Sequence, residues 1–114
     1  MARPDGFVDF VLDQLRGRAE ARRLFGGHGL YRGEAFFGIL HRGRFYLKVD
    51  DRSRKAFEDE GMKPFRPTPR MTLRTFYEVP ADVLEDAARL ATWADRAVTA
   101  ARAASRKRPA RGRS

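Results

Sequence analysis

The 114-residue sequence contains no cysteine, so disulfide bonds, thiolate nucleophiles and cysteine-ligated metals are excluded. It also lacks any apolar run near the roughly 20 residues that a transmembrane helix requires. Its N-terminus has no apolar segment typical of a secretion signal. These absences predict a cytoplasmic protein that does not contact a membrane. Apolar residues make up 42% of the chain, which is ordinary for a globular protein with one domain.

Serine is scarce as well, because Ser53, Ser105 and Ser114 are the only three in the chain. None of them lies in a strand-to-helix turn of the kind that exposes a nucleophilic serine. Acidic residues cluster at 50–51 and 58–60, where a helix cap and a solvated helix are more typical than a desolvated general acid. The sequence therefore predicts a protein that is not an enzyme.

Histidine is limited to His28 and His41. Asp50 and Asp51 could join them as metal ligands, but the close pairing and third clear ligand of two-histidine sites are missing. Glycines in residues 26–29 lack the GxxxxGK[ST] spacing of a phosphate-binding loop, and no helix follows them. We therefore expect neither a metal nor a cofactor, and we interpret these glycines as a bend between strands.

Glycine is concentrated in residues 24–50, which hold six of the ten glycines between short apolar and aromatic runs. Glycine allows the chain to reverse and aromatic residues fill pleated surfaces, so the pattern predicts an antiparallel meander. Strands are expected at residues 20–25, 29–32, 35–40 and 44–49. The last strand alternates, and its face with Arg44, Tyr46 and Lys48 is expected to be wet or to contact a partner.

Helical periodicity predicts helices on both sides of this meander. They are expected from an N-cap at Asp5 to Gly17, from a cap at Asp50 or Asp51 to Gly61, and from near Asp82 or Asp86 to about Ala104. The proline-rich residues 63–69 indicate a loop or an irregular edge. Residues 71–79 predict a fifth strand with Met71, Leu73, Tyr77 and Val79 on one face. The order α-β-β-β-β-α-β-α predicts an α+β two-layer sandwich of helices on an antiparallel sheet.

The net charge of +9 is unevenly distributed. Residues 105–114 hold five bases and no acid, and they are predicted to form a disordered tail after a domain at residues 1–104. The five bases are Arg106, Lys107, Arg108, Arg111 and Arg113. Such a tail would bind nucleic acid weakly, without sequence preference and with a steep dependence on salt.

A second group of basic residues lies in the meander, interleaved with Tyr31 and Tyr46. Its candidate contact residues are Arg22, Arg23, Arg42, Arg44 and Lys48. Basic side chains beside aromatic ones on a sheet can hold phosphates while bases stack on the rings. The same face could instead contact a protein or only face solvent, and these alternatives stay open. Pairing of edge strands between two chains would allow a homodimer.

Residues 24–31 and 45–50, LFGGHGLY and FYLKVD, resemble the N-terminal domain of the TfoX/Sxy proteins, which regulate bacterial competence genes. Further matching segments are residues 7–12, 54–61 and 77–80, so the similarity spans about residues 5–101. The resemblance implies the α+β fold given above, no known catalytic residues and no cofactor. It also implies a role in transcriptional control, in which the full-length activators work together with the cyclic AMP receptor protein.

The competence activators carry a second, C-terminal domain, where the present sequence has its arginine-rich segment. The fold is therefore expected to transfer to this chain more directly than the function. We predict a non-enzymatic regulatory module that acts in transcription through contact with an unidentified protein. The alternative is a nucleic-acid-binding accessory protein that uses the tail and the sheet arginines.

Overall fold

The computed structural model describes residues 4–24 and 26–107. In this part of the chain the helices are α1 (Pro4–Gln14), α2 (Asp51–Asp59), α3 (Ala81–Leu84) and α4 (Ala87–Lys107). The strands are β1 (Glu20–Leu24), β2 (Gly27–Arg32), β3 (Ala35–His41), β4 (Arg44–Lys48), β5 (Pro64–Thr68) and β6 (Met71–Glu78). All pairs are antiparallel, and the sheet order is β1-β2-β3-β4-β6-β5. The predicted α+β class is confirmed. No helix in the described residues is long and apolar enough to cross a membrane.

The main hydrophobic core lies between the sheet and the helices. Each of the four helices contributes to it, and α4 packs across β3 and β4. Ala94 and Ala97 on α4 are almost completely buried, and their small side chains allow the helix to lie close to the sheet. Phe37 and Leu47 are fully buried on the sheet side of this core. The helices therefore form one layer and the sheet the other.

A second, smaller core lies on the opposite face of the sheet and is formed by Ile39, Tyr46, Phe65 and Phe76. The Phe65 ring lies 4.8 Å from the Tyr46 ring and 5.2 Å from the His41 ring, centroid to centroid. Yet β5 lies two strands from β4 and three from β3. Because neighbouring strands are about 4.8 Å apart, a flat sheet would not bring these rings together, so the sheet curls at this end.

The curl changes the environment of Tyr46, which is only 8% exposed. The prediction that this face of β4 is wet or contacts a partner is therefore wrong at Tyr46, because Phe65 covers it. Alternation within β4 is correct on the other face, where Phe45 and Leu47 enter the main core with Val49. Local alternation identified the two faces of β4 but contained no information about a strand that arrives later in the chain.

The proline-rich residues 63–69 contain the edge strand β5. Of the two predicted alternatives, a loop and an irregular edge, the irregular edge is correct. Its pairing with β6 is shifted twice, between Pro64 and Phe65 and between Phe65 and Thr68. Phe65 pairs with Leu73, whereas the preceding residue, Pro64, pairs with Tyr77. A step of one residue along β5 therefore matches a step of four residues along β6. As a result Leu73 packs against the small core while Tyr77 enters the main core. Their predicted placement on one face is wrong.

Helix boundaries differ from prediction at three points. α1 begins at Pro4, so Asp5 lies in its first turn and does not cap it. The last predicted helix is two helices, because α3 ends at Leu84 before α4 begins. α4 then continues to Lys107, three residues beyond the predicted end at Ala104. Residues 108–114 of the predicted tail lie outside the described part of the chain.

The glycine-rich bend between β1 and β2 is confirmed. Gly26 has a φ of 76°, in the left-handed region that favours glycine. Gly27 is required for another reason, because a Cβ atom there would overlap the backbone carbonyl oxygen of Leu40. The two backbones of β2 and β3 therefore approach each other closely at the start of β2.

Candidate protein-contact surface

A row of stacked side chains crosses the sheet on the face opposite the helices. We call it the outer row, and it consists of Arg22, Tyr31, Phe36, Phe76 and Lys48. The Arg22 guanidinium carbon lies 4.3 Å from the Tyr31 ring centroid. Tyr31 stacks on Phe36 at 5.1 Å with an interplanar angle of 21°, and Phe36 lies 5.1 Å from Phe76. The Lys48 Nζ atom lies 5.2 Å from the Phe76 ring centroid. A cation therefore contacts the first and the last of these three rings, Tyr31 and Phe76.

Gly29 makes room for this arrangement. A Cβ atom at Gly29 would lie 2.9 Å from Leu24, 3.0 Å from Phe36 and 3.2 Å from Tyr31, in each case from a side-chain carbon. The side chains of β1, β2 and β3 can therefore close over the bare glycine backbone. This packing explains a glycine inside a strand, where it would otherwise weaken the strand.

Exposure varies along the outer row. Tyr31 and Phe36 are half-buried, whereas Phe76 is 4% exposed. Arg22 covers one side of the Tyr31 ring and Phe36 stacks on it as well. Nucleic-acid bases stack on ring faces that are free, and both faces of the Tyr31 ring are largely covered. Tyr46, the second tyrosine considered for stacking, is buried under Phe65. The row therefore suits contact with apolar side chains better than base stacking.

The predicted contact residues of the meander are only partly brought together. Arg22 contacts the Tyr31 ring and Lys48 the Phe76 ring of the outer row, whereas Arg44 pairs with Glu78 at 3.0 Å. Arg42 lies in the exposed turn between β3 and β4, where its φ is 53°. Strand alternation places Arg23 on the side of β1 opposite Arg22. Their role in binding stays a prediction.

The tail bases fall at the limit of the described chain. Arg106 is exposed in the last turn of α4. Lys107 ends that helix, while Arg108, Arg111 and Arg113 lie outside the described residues. A homodimer through the edge strands β1 and β5 likewise stays a prediction.

Titratable side chains in the described residues show no arrangement for metal binding. No group of three or more His, Asp or Glu residues could hold an ion within residues 4–24 and 26–107. Burial, followed by the hydrogen bond to Glu58, raises the pKa of Tyr77. Burial is also the main reason that the pKa of Tyr46 is raised. Both hydroxyls therefore remain protonated at neutral pH.

Sequence reasoning did not identify Phe36 and Phe76 as members of this surface. Each is adjacent to an aromatic residue of the main core, Phe37 and Tyr77 respectively. Adjacent strand residues face opposite sides, so each aromatic doublet was a signal that the sheet has apolar groups on both faces.

Residues 11–101 of this chain match the family model of the TfoX N-terminal domain, and this range includes the whole outer row. The chain belongs to the TfoX N-terminal domain family. A relative named DNA transformation protein TfoX1, from Aliivibrio fischeri (strain ATCC 700601 / ES114), is 32% identical over 69 residues. The alignment covers 60% of this chain and 32% of that relative, so it spans about a third of the relative's length. The family is associated with competence regulation, and the predicted resemblance is confirmed.

Proposed function

We propose that this protein is a non-enzymatic regulatory module that acts in transcription through contact between its outer row and a protein partner. The observation that carries the proposal is the partly exposed Tyr31–Phe36 stack, together with the cations that contact the Tyr31 and Phe76 rings. Family membership supports a regulatory role, and the name of the Aliivibrio fischeri relative connects that relative to DNA transformation.

The chemistry of the outer row defines the partner that would fit. Aromatic and arginine side chains are enriched at protein interfaces and often dominate their binding energy. Arg22 pairs with Glu20 at 3.3 Å, but both side chains are more than half exposed, so this pair contributes little and is easily exchanged. An apolar segment flanked by acidic residues would complement the rings and the two cations.

The proposal can be tested by affinity purification of the tagged chain from cells, followed by quantitative mass spectrometry. Phe36→Glu places a carboxylate in the centre of the outer row. Phe10→Glu is the matched control, because Phe10 is 41% exposed on α1, in the helix layer. We expect a partner that is lost with Phe36→Glu and retained with Phe10→Glu. Equal recovery with both variants would contradict the proposal, and circular dichroism would verify that both are folded.

A second candidate function is nucleic-acid binding, which the extension of α4 favours. Arg102 and Arg106 are both exposed and lie one helical turn apart on α4, and Arg106 is the first of the five bases in residues 105–114. The two side chains would form a basic strip on the last turns of α4. Such a strip binds phosphates through counterion release and confers no sequence preference.

The test uses fluorescence anisotropy of a labelled DNA duplex at several salt concentrations. One variant replaces the five bases Arg106, Lys107, Arg108, Arg111 and Arg113 with glutamine, which keeps α4 intact where truncation at Ala104 would shorten it. The other variant makes the same replacement at Arg22, Arg23, Arg42 and Arg44. The slope of log affinity against log salt is negative, and each lost phosphate contact should reduce its magnitude by about 0.9. Unchanged slopes in both variants would rule out this function.

A further inference from the structure

A cleft of about 540 Å³ lies between α2 and α4, in the helix layer and away from the outer row. This volume lies within the range of small-molecule sites. Its lining side chains are Asp50, Arg52, Ser53 and Ala56 from the α2 side, and Thr92, Asp95, Arg96 and Thr99 from α4. Neither the family match nor the proposed function assigns a role to it.

Both carboxylates of the cleft are engaged by groups of the same chain. Asp50 caps α2 and accepts hydrogen bonds from the Ser53 backbone nitrogen at 2.8 Å and the Ser53 hydroxyl at 3.0 Å. The backbone bond from Ser53 is the main reason that the pKa of Asp50 is lowered. Asp95 accepts a hydrogen bond from Arg32 on β2 at 2.9 Å. The acceptors in the cleft are therefore largely occupied.

In contrast, several hydrogen-bond donors of the cleft have no partner among the described residues. The side chains of Arg52 and Arg96 are exposed and make no hydrogen bond or ion pair with another described residue. The hydroxyls of Thr92 and Thr99 also have no partner in the described part of the chain. Two guanidinium groups on facing helices and two hydroxyls on α4 thus remain for a ligand that carries negative charge.

We propose that this cleft binds a phosphorylated small molecule of about mononucleotide size, with its phosphate held between Arg52 and Arg96. A guanidinium presents its donors in a planar fork that matches phosphate oxygens bidentately, which a lysine ammonium does not. The Thr92 and Thr99 hydroxyls donate to the remaining oxygens or to the body of the ligand. The volume exceeds what a phosphate group alone would fill, so the ligand has an organic part.

Trp93 provides a direct reporter for binding. It is the only tryptophan in the chain. It lines a small crevice of about 10 Å³ together with Ser53, Ala56 and Arg96, which also line the cleft. The Trp93 ring lies 4.8 Å from Phe57, edge-on. A ligand that immobilises Arg96 will change the surroundings of the indole and hence its fluorescence.

The experiment titrates the full chain with AMP and, separately, with citrate while Trp93 fluorescence is recorded. Salt is kept at about 0.15 M, where the Debye length is about 8 Å and long-range attraction to the basic chain is screened. We expect a saturable change with AMP. Arg52→Gln and Arg96→Gln should each weaken AMP binding about tenfold or more, the usual effect of losing charge-assisted hydrogen bonds. Arg70→Gln, at an exposed position between β5 and β6 and outside the cleft, is the matched control and should bind as the unaltered chain does.

Three results would overturn the proposal. The first is that Trp93 fluorescence shows no saturable change up to about 10 mM AMP, a concentration at which even a site with a millimolar dissociation constant would be mostly occupied. The second is an equal loss in the Arg96→Gln and Arg70→Gln variants, which would indicate diffuse attraction to a basic protein. The third is equally tight binding of citrate, which would show that the site does not select phosphate. Thermal unfolding of each variant would establish that it is folded, and Arg96→Lys should fall between Arg96→Gln and the unaltered chain.

Discussion

The hydroxyl of Tyr77 donates a hydrogen bond to Oε2 of Glu58 over 3.0 Å and thereby joins β6 to α2. Tyr77 is only 4% exposed, and its ring lies 6.1 Å from the ring of Phe57, the buried residue of α2. This polar contact at the border of the main core supplements the apolar contacts that hold α2 against the sheet. Because α2 also forms one wall of the cleft, the contact helps to define the cleft.

Replacing Tyr77 with phenylalanine should lower the free energy of unfolding by about 1 kcal/mol, the usual net contribution of one hydrogen bond. Glu58 is exposed and can turn to water, so no buried acceptor is left unpaired. Urea unfolding followed by circular dichroism measures this loss. Tyr31→Phe is the control, since the Tyr31 hydroxyl bonds to no described residue. Equal losses in the two variants would mean that the Glu58 bond contributes nothing.

The same residue should make the fold sensitive to alkali. The pKa of Tyr77 is raised above 10.0 in the folded protein, first by burial and then by the bond to Glu58. Tyrosine in the unfolded chain loses its proton near pH 10, so the unfolded state binds fewer protons above that pH and stability falls as pH rises. The urea midpoint of the Tyr77→Phe variant should therefore fall less steeply as pH rises above about 10. A fall as steep as in the unaltered chain would refute this assignment.

Asp50 should contribute to stability as the N-cap of α2. Its side chain accepts from the Ser53 backbone, and the Ser53 hydroxyl accepts from the Asp50 backbone. Asp50→Ala should therefore cost about 1 kcal/mol at neutral pH. Because the pKa of Asp50 is lowered from 3.8, this contribution is complete above that pH and is lost as pH falls through the lowered value.

Chemical denaturation at neutral and acidic pH measures the contribution of Asp50 directly. The difference between Asp50→Ala and the unaltered chain should shrink in acid. Asp13→Ala, an exposed change within α1, should have little effect at either pH. A difference that stays constant with pH would exclude the charged cap as its cause.

Gly27 should be among the least replaceable residues of the sheet. A methyl group there would meet the backbone oxygen of Leu40, which cannot move without opening the pairing of β2 and β3. Gly27→Ala should cost about 2 kcal/mol or more, as strained core substitutions do. Gly6→Ala in α1 has no heavy atom within 4 Å of the new carbon, and should gain roughly 0.5–1 kcal/mol from helix propensity. Thermal unfolding of both variants would test this contrast, and a Gly27→Ala variant as stable as the unaltered chain would contradict it.

Much of the fold could be predicted from the sequence because its signals are local. The glycine-rich bend before β2, the alternation of Phe45 and Leu47, and the Asp50 cap each depend on a few neighbouring residues. Strand β5 could not be predicted with the same rules, since its prolines lower the strand propensity and its place at the edge depends on pairing with β6. The side preferred by Leu73 depends on the same irregular pairing.

The candidate surface was only partly predictable for a related reason. Arg22, Tyr31 and Lys48 were identified from the sequence of the meander, but their alignment with Phe36 and Phe76 depends on the register of five strands. The burial of Tyr46 depends on Phe65, 19 positions further along the chain, and on the curl of the sheet. The facing of Arg52 and Arg96 requires the packing of two helices that the sequence does not reveal.

The outer row can be tested most directly by photocrosslinking in cells. A photoreactive benzoylphenylalanine replaces Tyr31, and in a control chain it replaces Arg102 on the exposed side of α4. We predict an adduct with a protein partner from position 31, no such adduct from position 102, and loss of the adduct when Arg22→Glu is added. No adduct from position 31, or the same adducts from both positions, would contradict a regulatory role through this surface.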